Sequence, residues 1–349
     1  MIVWTAILCF ILTLLFTPLV KKLAIKIGAV DQPNQRKVHQ RIMPRLGGLA
    51  IYLSAMIGLL IMMPDNEFTW PLIIGATIII ITGVFDDMYE ISPKVKMLGQ
   101  FLAAAVVIFG GVQIDFINLP FNSTIHFGIF AVPLTFFWII GITNAINLID
   151  GLDGLAAGVS SIVVLTISIM AIIVPNPFVM VVGFILLAST VGFLFYNFHP
   201  AKIFMGDTGA LFLGFMISVI SLLGFKNITV FSLLLPVIIL GVPISDTFFA
   251  IIRRIVHKKP LSAPDKSHLH HCLLRLGFSH RTTVLIIYGM SAFFGLAAIV
   301  LSKSTLWGAT LIITLLLFVI QFVVEKVGLV HENFQPMHKL FRKMANTRR

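Results

Sequence analysis

IVVLTISIMAIIV, residues 162–174, decides the class of the molecule. The run has no charge and no strict alternation of polar with apolar residues, which argues for an apolar helix and against a membrane β-strand. Comparable runs recur along the 349 residues, many close to the ~20 needed to cross a bilayer. Hydrophobic residues make up 58% of the chain, charged residues 11%, and mean hydropathy is +1.03, a composition foreign to soluble domains. The expected class is all-α: a polytopic integral membrane protein with about eleven spans.

Working outward, the predicted spans cover 1–20, 46–63, 69–85, 98–112, 128–146, 155–174, 178–196, 208–225, 229–252, 283–302 and 305–325. No polar stretch is long enough to fold separately, so 1–330 reads as one integral domain and 331–349 as a basic cytoplasmic tail. The first span lacks a basic leader and a small-residue cleavage site, and is expected to stay uncleaved. With the N-terminus outside, 23 of the 25 Lys and Arg fall in cytoplasmic segments, leaving only Lys226 and Lys303 opposite. That bias sets the orientation and places the C-terminus in the cytoplasm. The net charge of +11 therefore reflects membrane topology, and nucleic acid is not an expected partner. GVQIDFINLPFNSTIHF, from Gly111, is predicted to form a small exterior hairpin; its NST sequon carries little information. Cys9 and Cys272 give no disulfide framework.

The polar clusters fall almost entirely on the cytoplasmic side, and only Asp65, Glu67 and Asp115 of the 14 acids lie outside. A channel or symporter more often places acids near mid-membrane, whereas one-sided clustering points to a site at the inner interface. In FDDMYE, Asp86 and Asp87 end the third span, where a helix C-terminus disfavours anions. A solvated helix end is the plain reading; a divalent cation, Mg²⁺ first, is the functional one. In NAINLIDGLDG, residues 144–154, Asn144, Asn147, Asp150 and Asp153 recur every three residues, which on a helix makes one drifting polar stripe. A turn explains Asp-Gly but not the Asn repeat. In FMGDTGA, Asp207 or Thr208 could simply cap the eighth span, yet the same amides form an anion site where a carboxylate can hold a metal.

The segment DKSHLHHC carries His268, His270, His271 and Cys272. Close neighbours in sequence converge poorly on one zinc ion, so donation to phosphate is the expected role, with a solvated loop as the plain alternative. Among the cations Arg36, Lys37, His39, Arg41, Arg45, Lys94 and Lys96, only Arg45 and Lys96 are expected as ligands. Asp246 is as compatible with a structural as with a catalytic role.

Asp86-Asp87, the Asn144-x-x-Asn147-x-x-Asp150-Gly151-x-Asp153-Gly154 run, Met205-Gly206-Asp207-Thr208-Gly209 and His268-x-His270-His271, in this order on one face, resemble the polyprenyl-phosphate N-acetylhexosamine-1-phosphate transferases. The resemblance spans nearly the whole chain. The His-x-His-His form is similar to the N-acetylglucosamine branch that starts teichoic acid or O-antigen synthesis. The phospho-N-acetylmuramoyl-pentapeptide transferases, with a Pro-x-His-His-His type segment, are the alternative, and Glu90 stands where the family's Asp-Asp-x-x-Asp pattern has its last Asp.

The resemblance implies transfer of N-acetylglucosamine 1-phosphate from UDP-N-acetylglucosamine to undecaprenyl phosphate, at the plasma membrane of a bacterium. It implies Mg²⁺, with Mn²⁺ as a substitute, held by Asp207, Asn147 and Asp87. Asp86, Asp87 and Asp150 would act in catalysis; Asn144, Asp153, Lys96, Arg45 and the three histidines would bind substrate. The expected partners are the two substrates and the bilayer, and a homodimer is allowed. A transporter of anionic substrates and a membrane scaffold are the readings from other classes; the first predicts movement without UMP release, and the second gives no reason for the Asn and Asp repeat.

Overall fold

The computed structural model describes residues 1–31, 42–119, 123–225, 234–260, 265 and 267–329. Arg36, Lys37, His39, Arg41, Lys226 and the tail 331–349 lie outside the described residues. Thirteen α-helices follow one another: α1 (Ile2–Ile27), α2 (Gly48–Met62), α3 (Thr69–Tyr89), α4 (Pro93–Phe109), α5 (Ala131–Ile149), α6 (Leu155–Ile173) and α7 (Pro177–Asn197), then α8 (Gly206–Phe225), α9 (Leu234–Ile239), α10 (Gly241–Val256), α11 (Leu269–Arg275), α12 (His280–Leu301) and α13 (Leu306–Val327). Among the described residues eight helices, one of them α5 with its leading 3₁₀ turn Gly128–Phe130, are long and apolar enough to cross a membrane. The molecule is an all-α multi-pass membrane protein.

Helix ends follow local chemistry. Asn176 and Ser279 accept hydrogen bonds from Val179 N and Thr282 N, capping α7 and α12, and Pro177 occupies the first position of α7, where no N–H is needed. In lipid the remaining backbone groups pair within each helix. Many buried Thr and Ser hydroxyls do the same: Thr13 donates to Cys9 O, Thr143 to Ile139 O and Ser168 to Val164 O.

At the centre stands α8, with 94% of its apolar stretch buried, packed on α3, α5, α6 and α2. By contrast α1 and α13 are peripheral, with 22% and 17% buried, and their outward apolar residues suit acyl chains. The hairpin is present: β3 (Phe116–Leu119) pairs antiparallel with β4 (Ser123–His126), Phe116 facing His126. A two-residue pair, β1 (Val30–Asp31) with β2 (Met43–Pro44), brackets the segment before α2.

Three expectations change. Of the span placed at 229–252, the described part from residue 234 is two helices, α9 and α10, broken at Leu240. Pro243 supplies no N–H to the Ile239 carbonyl and its ring crowds it, so the helix restarts there. The short fourth span begins earlier than 98, at Pro93, which brings Lys94 and Lys96 into the first turns of α4. Finally, the Asn-Asp stripe is helical only for Asn144 and Asn147. Asp150 leaves helical conformation at φ −76°, ψ 68°, and the amides of Asp150 and Gly151 bond back to Asn147 O and Ile149 O. Asp150 and Asp153 therefore sit in a tight turn.

Candidate active site

One end of the bundle gathers the last turns of α3 and α5 and the first turns of α4 and α8. Asp87, in the last turn of α3, is 3% exposed. Its Oδ1 accepts from Asp207 N at 3.0 Å; its Oδ2 accepts from Thr208 N at 3.0 Å and from the Thr208 hydroxyl at 2.6 Å. A carboxylate from another helix thus caps α8, answering both its open amides and its positive dipole end. The approach requires Gly206: it has φ +70°, and a Cβ there would lie 2.4 Å from Asp87 Oδ2. Both Asp87 oxygens are occupied.

Asp86 and Asp207 are the open pair. Lys96 Nζ lies 3.1 Å from Asp86 Oδ2 and directly against Asp207 Oδ2, while Asn147 Nδ2 donates to Asp207 Oδ1 at 3.0 Å. Four elements, α3, α4, α5 and α8, each supply one of these groups. Asn144, one turn before Asn147, faces Gln100 of α4: its Nδ2 donates to Gln100 Oε1 at 2.6 Å. Arg45 is fixed by strand-like contacts, with Phe204 N donating to Pro44 O and Gly47 N to Phe204 O. Its guanidinium donates to the Asp87 carbonyl and to Glu90 Oε1 at 3.2 Å, and lies 3.7 Å from Asp31.

In the α5–α6 turn, burial pushes the Asp150 carboxyl up to about 7, and the Asp87 and Asp153 carboxylates push the same way. Asp153 Oδ2 meets His199 Nδ1 at 2.8 Å and accepts from Ala201 N at 3.1 Å. Gly151 lies beneath His270; a Cβ there would come within 2.3 Å of its Nε2. The loop that carries the histidines is anchored from α10. Asp246, 3% exposed, accepts from Leu269 N at 2.7 Å and meets His268 Nδ1 at 2.8 Å. Arg253 forks onto Asp265 Oδ2 at 2.7 and 3.1 Å. Burial alone would raise Asp265, but the hydrogen bonds and charge of Arg253 hold it below the usual carboxylate value.

Not all three histidines can carry charge. Burial, with His271 and His268 adding to it, pushes His270 down to about 3, so it is a neutral imidazole at physiological pH. Its Nε2 is buried without a hydrogen-bond partner.

The sequence-expected residues therefore fall into two neighbouring groups. Asp86, Asp87, Lys96, Asn144, Asn147, Asp207 and Arg45 meet around the start of α8; Asp150, Asp153, His268, His270 and His271 meet around the α5–α6 turn and α11. Gln100, Asn197, His199 and His280 escaped the sequence reading. Asn197 Oδ1 accepts from Gly154 N at 3.1 Å, and its Nδ2 donates to Ile203 O. For Gln100 the available signal was an amide inside an apolar helix, which demands a partner. Asp246, open in sequence, now has a partner on each oxygen.

The family model of glycosyl transferase family 4 matches residues 69–225, the segment with Asp86, Asp87, Asp150, Asp153 and Asp207. The chain is 51% identical over 347 residues to the Bacillus subtilis protein named "Probable undecaprenyl-phosphate N-acetylglucosaminyl 1-phosphate transferase", covering 99% of this chain and 97% of that one. It is 35% identical over 312 residues to the decaprenyl-phosphate N-acetylglucosaminephosphotransferase of Mycolicibacterium smegmatis, 80% and 76% of the two lengths. To the undecaprenyl-phosphate alpha-N-acetylglucosaminyl 1-phosphate transferase of Thermotoga maritima it is 30% identical over 293 residues, 84% and 87% of the two. Matched along both full lengths to a half-identical relative, and by the family pattern over all five of these carboxylates, the chain belongs to glycosyl transferase family 4.

Proposed function

We propose that the chain transfers N-acetylglucosamine 1-phosphate from UDP-N-acetylglucosamine to undecaprenyl phosphate, releasing UMP, at the cytoplasmic face of a bacterial plasma membrane. The product, undecaprenyl-diphospho-N-acetylglucosamine, would start a cell-wall polymer of the teichoic acid type. The half-identical relative supports the substrate pair. The observation that carries the chemistry is the Asp86–Lys96–Asp207–Asn147 cluster, assembled from four helix ends.

Two anions must meet, so charge neutralisation dominates the task. The cluster fits a divalent ion: two carboxylates and a carboxamide are hard oxygen donors, and Lys96 already sits as a cation between the carboxylates. Asp207, with the Asn147 carbonyl after an amide rotation, would hold Mg²⁺ or Mn²⁺, and Asp86 would lie beside it. Asp87, its oxygens taken up by α8, would position Asp207 rather than ligate. The ion would neutralise diphosphate charge and polarise a phosphoryl oxygen.

The protein groups do the rest. Lys96 balances charge on the sugar nucleotide. Asp86 orients the lipid phosphate, whose second pKa of about 6 leaves it largely dianionic at pH 7, and accepts a proton from the remaining monoanion. A lipid phosphate oxygen then bonds to the sugar-bearing phosphorus as the bond to the UMP oxygen breaks in line. His268, with Nδ1 held by Asp246, turns Nε2 toward the phosphates. Asn144 shapes the nucleotide side; Arg45 acts through Asp87 and Glu90.

The test is direct. Purified protein given labelled UDP-N-acetylglucosamine, undecaprenyl phosphate and Mg²⁺ should release UMP and form a sugar lipid; UDP-sugar binding or movement without UMP would reject the transferase. Asp207→Asn should lower turnover at least about 100-fold, the scale of losing a charge-stabilising group. Near-normal turnover of a well-folded Asp207→Asn protein in excess Mg²⁺ would remove Asp207 as the ligand.

A further inference from the structure

We propose that Asp153, His199 and His280 form a binding site for a transition-metal ion of the zinc class, distinct from the Asp86–Asp207 cluster. The three come from separate segments: the α5–α6 turn, the residues just after α7, and the first position of α12. Each offers a ligand atom, and these atoms lie within 4.8 Å of one another. The His199 and His280 rings stack at 4.2 Å with 23° between their planes, and His199 Nδ1 is 2.8 Å from Asp153 Oδ2.

A plain turn clamp accounts for His199 and Asp153, because that pair and the Ala201 amide would fix the chain by themselves. The Asp153 backbone also holds the His280 ring, but that leaves the His280 Nε2 buried with no hydrogen-bond partner, in a residue whose ligand nitrogen lies within reach of a carboxylate and a second imidazole. Polar atoms so placed normally find a partner.

The donor set selects the ion class. Two imidazole nitrogens and one carboxylate suit Zn²⁺ or Co²⁺, whereas Mg²⁺ prefers oxygen donors in octahedral array. Bonds of about 2.0–2.1 Å place tetrahedral donors roughly 3.4 Å apart, so the stacked rings would open and Asp153 would draw back slightly from His199. Side-chain rotation supplies movement on that scale. His199 is 35% exposed, which leaves a route for entry and for a water as fourth ligand. Arg281 is the nearby opposing charge, donating to the His199 carbonyl. The ion would staple the α5–α6 turn to α7 and α12.

Full-length protein in detergent, stripped of metal and then supplied with excess Mg²⁺ to fill the oxygen-donor cluster, is titrated with Co²⁺. One Co²⁺ per chain should give the visible absorption of a four-coordinate ion, displaced by Zn²⁺. His199→Ala and His280→Ala should each weaken binding at least tenfold, while His270→Ala and Asp207→Asn should retain it. Zn²⁺ should also raise the Tm of the parent protein but not of His199→Ala. Absence of this absorption in the parent protein, or its survival unchanged in a folded His199→Ala or His280→Ala protein, would overturn the site. Loss in His270→Ala alone would move the ion to the 268–271 histidines and reject the assignment. None of these readouts requires transferase turnover, so failure here and failure of the proposed reaction are separable.

Discussion

Asp150 ties the chemistry of a single side chain to a property of the whole protein. Its carboxyl is raised to about 7 by burial and by the neighbouring acids, against about 4 in an unfolded chain. The folded state therefore keeps a proton that the unfolded chain has already lost between about pH 4 and pH 7. Stability from this group is fully present below pH 4 and is lost as pH rises through 7. Asp150→Asn abolishes that dependence. In chelator, its Tm relative to the parent should climb from pH 5 to pH 8, other groups cancelling in the difference; parallel Tm curves would reject the shifted carboxyl. At this scale the sequence was partly legible. Asp86, Asp87, Asn147 and Asp207 stood out because acids and amides bordering apolar runs need a reason. His199 and His280 did not: each is ordinary beside its own neighbours, and only the fold brings them together. That His270 is neutral was not legible either, because burial is a tertiary property.

At the scale of elements, α8 begins where α3 ends, and the join is one carboxylate. Asp87 satisfies two amides and a hydroxyl at the start of the most buried of the membrane-length helices among the described residues. Asp87→Ala should cost about 1–2 kcal/mol for the lost cap, and more because buried donors remain unpaired. Turnover should fall with it, since Asp207 donates one of those amides. Asp87→Asn keeps one acceptor oxygen and should recover part of the Tm but little of the rate. Equal Tm in the parent and Asp87→Ala proteins would show that the cap contributes nothing. Helix positions were legible because apolar runs of this length permit little else in lipid. The break at Leu240 was not: Pro is tolerated in many membrane helices, and its effect depends on whether neighbours can satisfy the freed carbonyl. The α5–α6 turn misled for a related reason, since a three-residue repeat continues across a helix end as readily as along a helix.

For the molecule as a whole, the decisive relation is between charge and side. Lys94, exposed near the start of α4, belongs to the end of the bundle where Asp86, Lys96 and Asp207 meet, while Lys303 is exposed after α12, between α12 and α13. The excess of Lys and Arg on the Lys94 side is the reason to expect that end in the cytoplasm. A cytosolic sugar nucleotide can reach the carboxylates only if this holds. The native thiols of Cys9 and Cys272 are both buried, so single introduced cysteines can be read against a low background. In intact cells a membrane-impermeant maleimide should label Lys303→Cys and leave Lys94→Cys unlabelled until the membrane is opened. The reverse pattern would place the cluster outside the cell, where UDP-sugars are absent, and the transferase reading would fail with it. Labelling of both from outside would instead break the helix count between α4 and α12, and with it the shared face on which the four polar motifs depend.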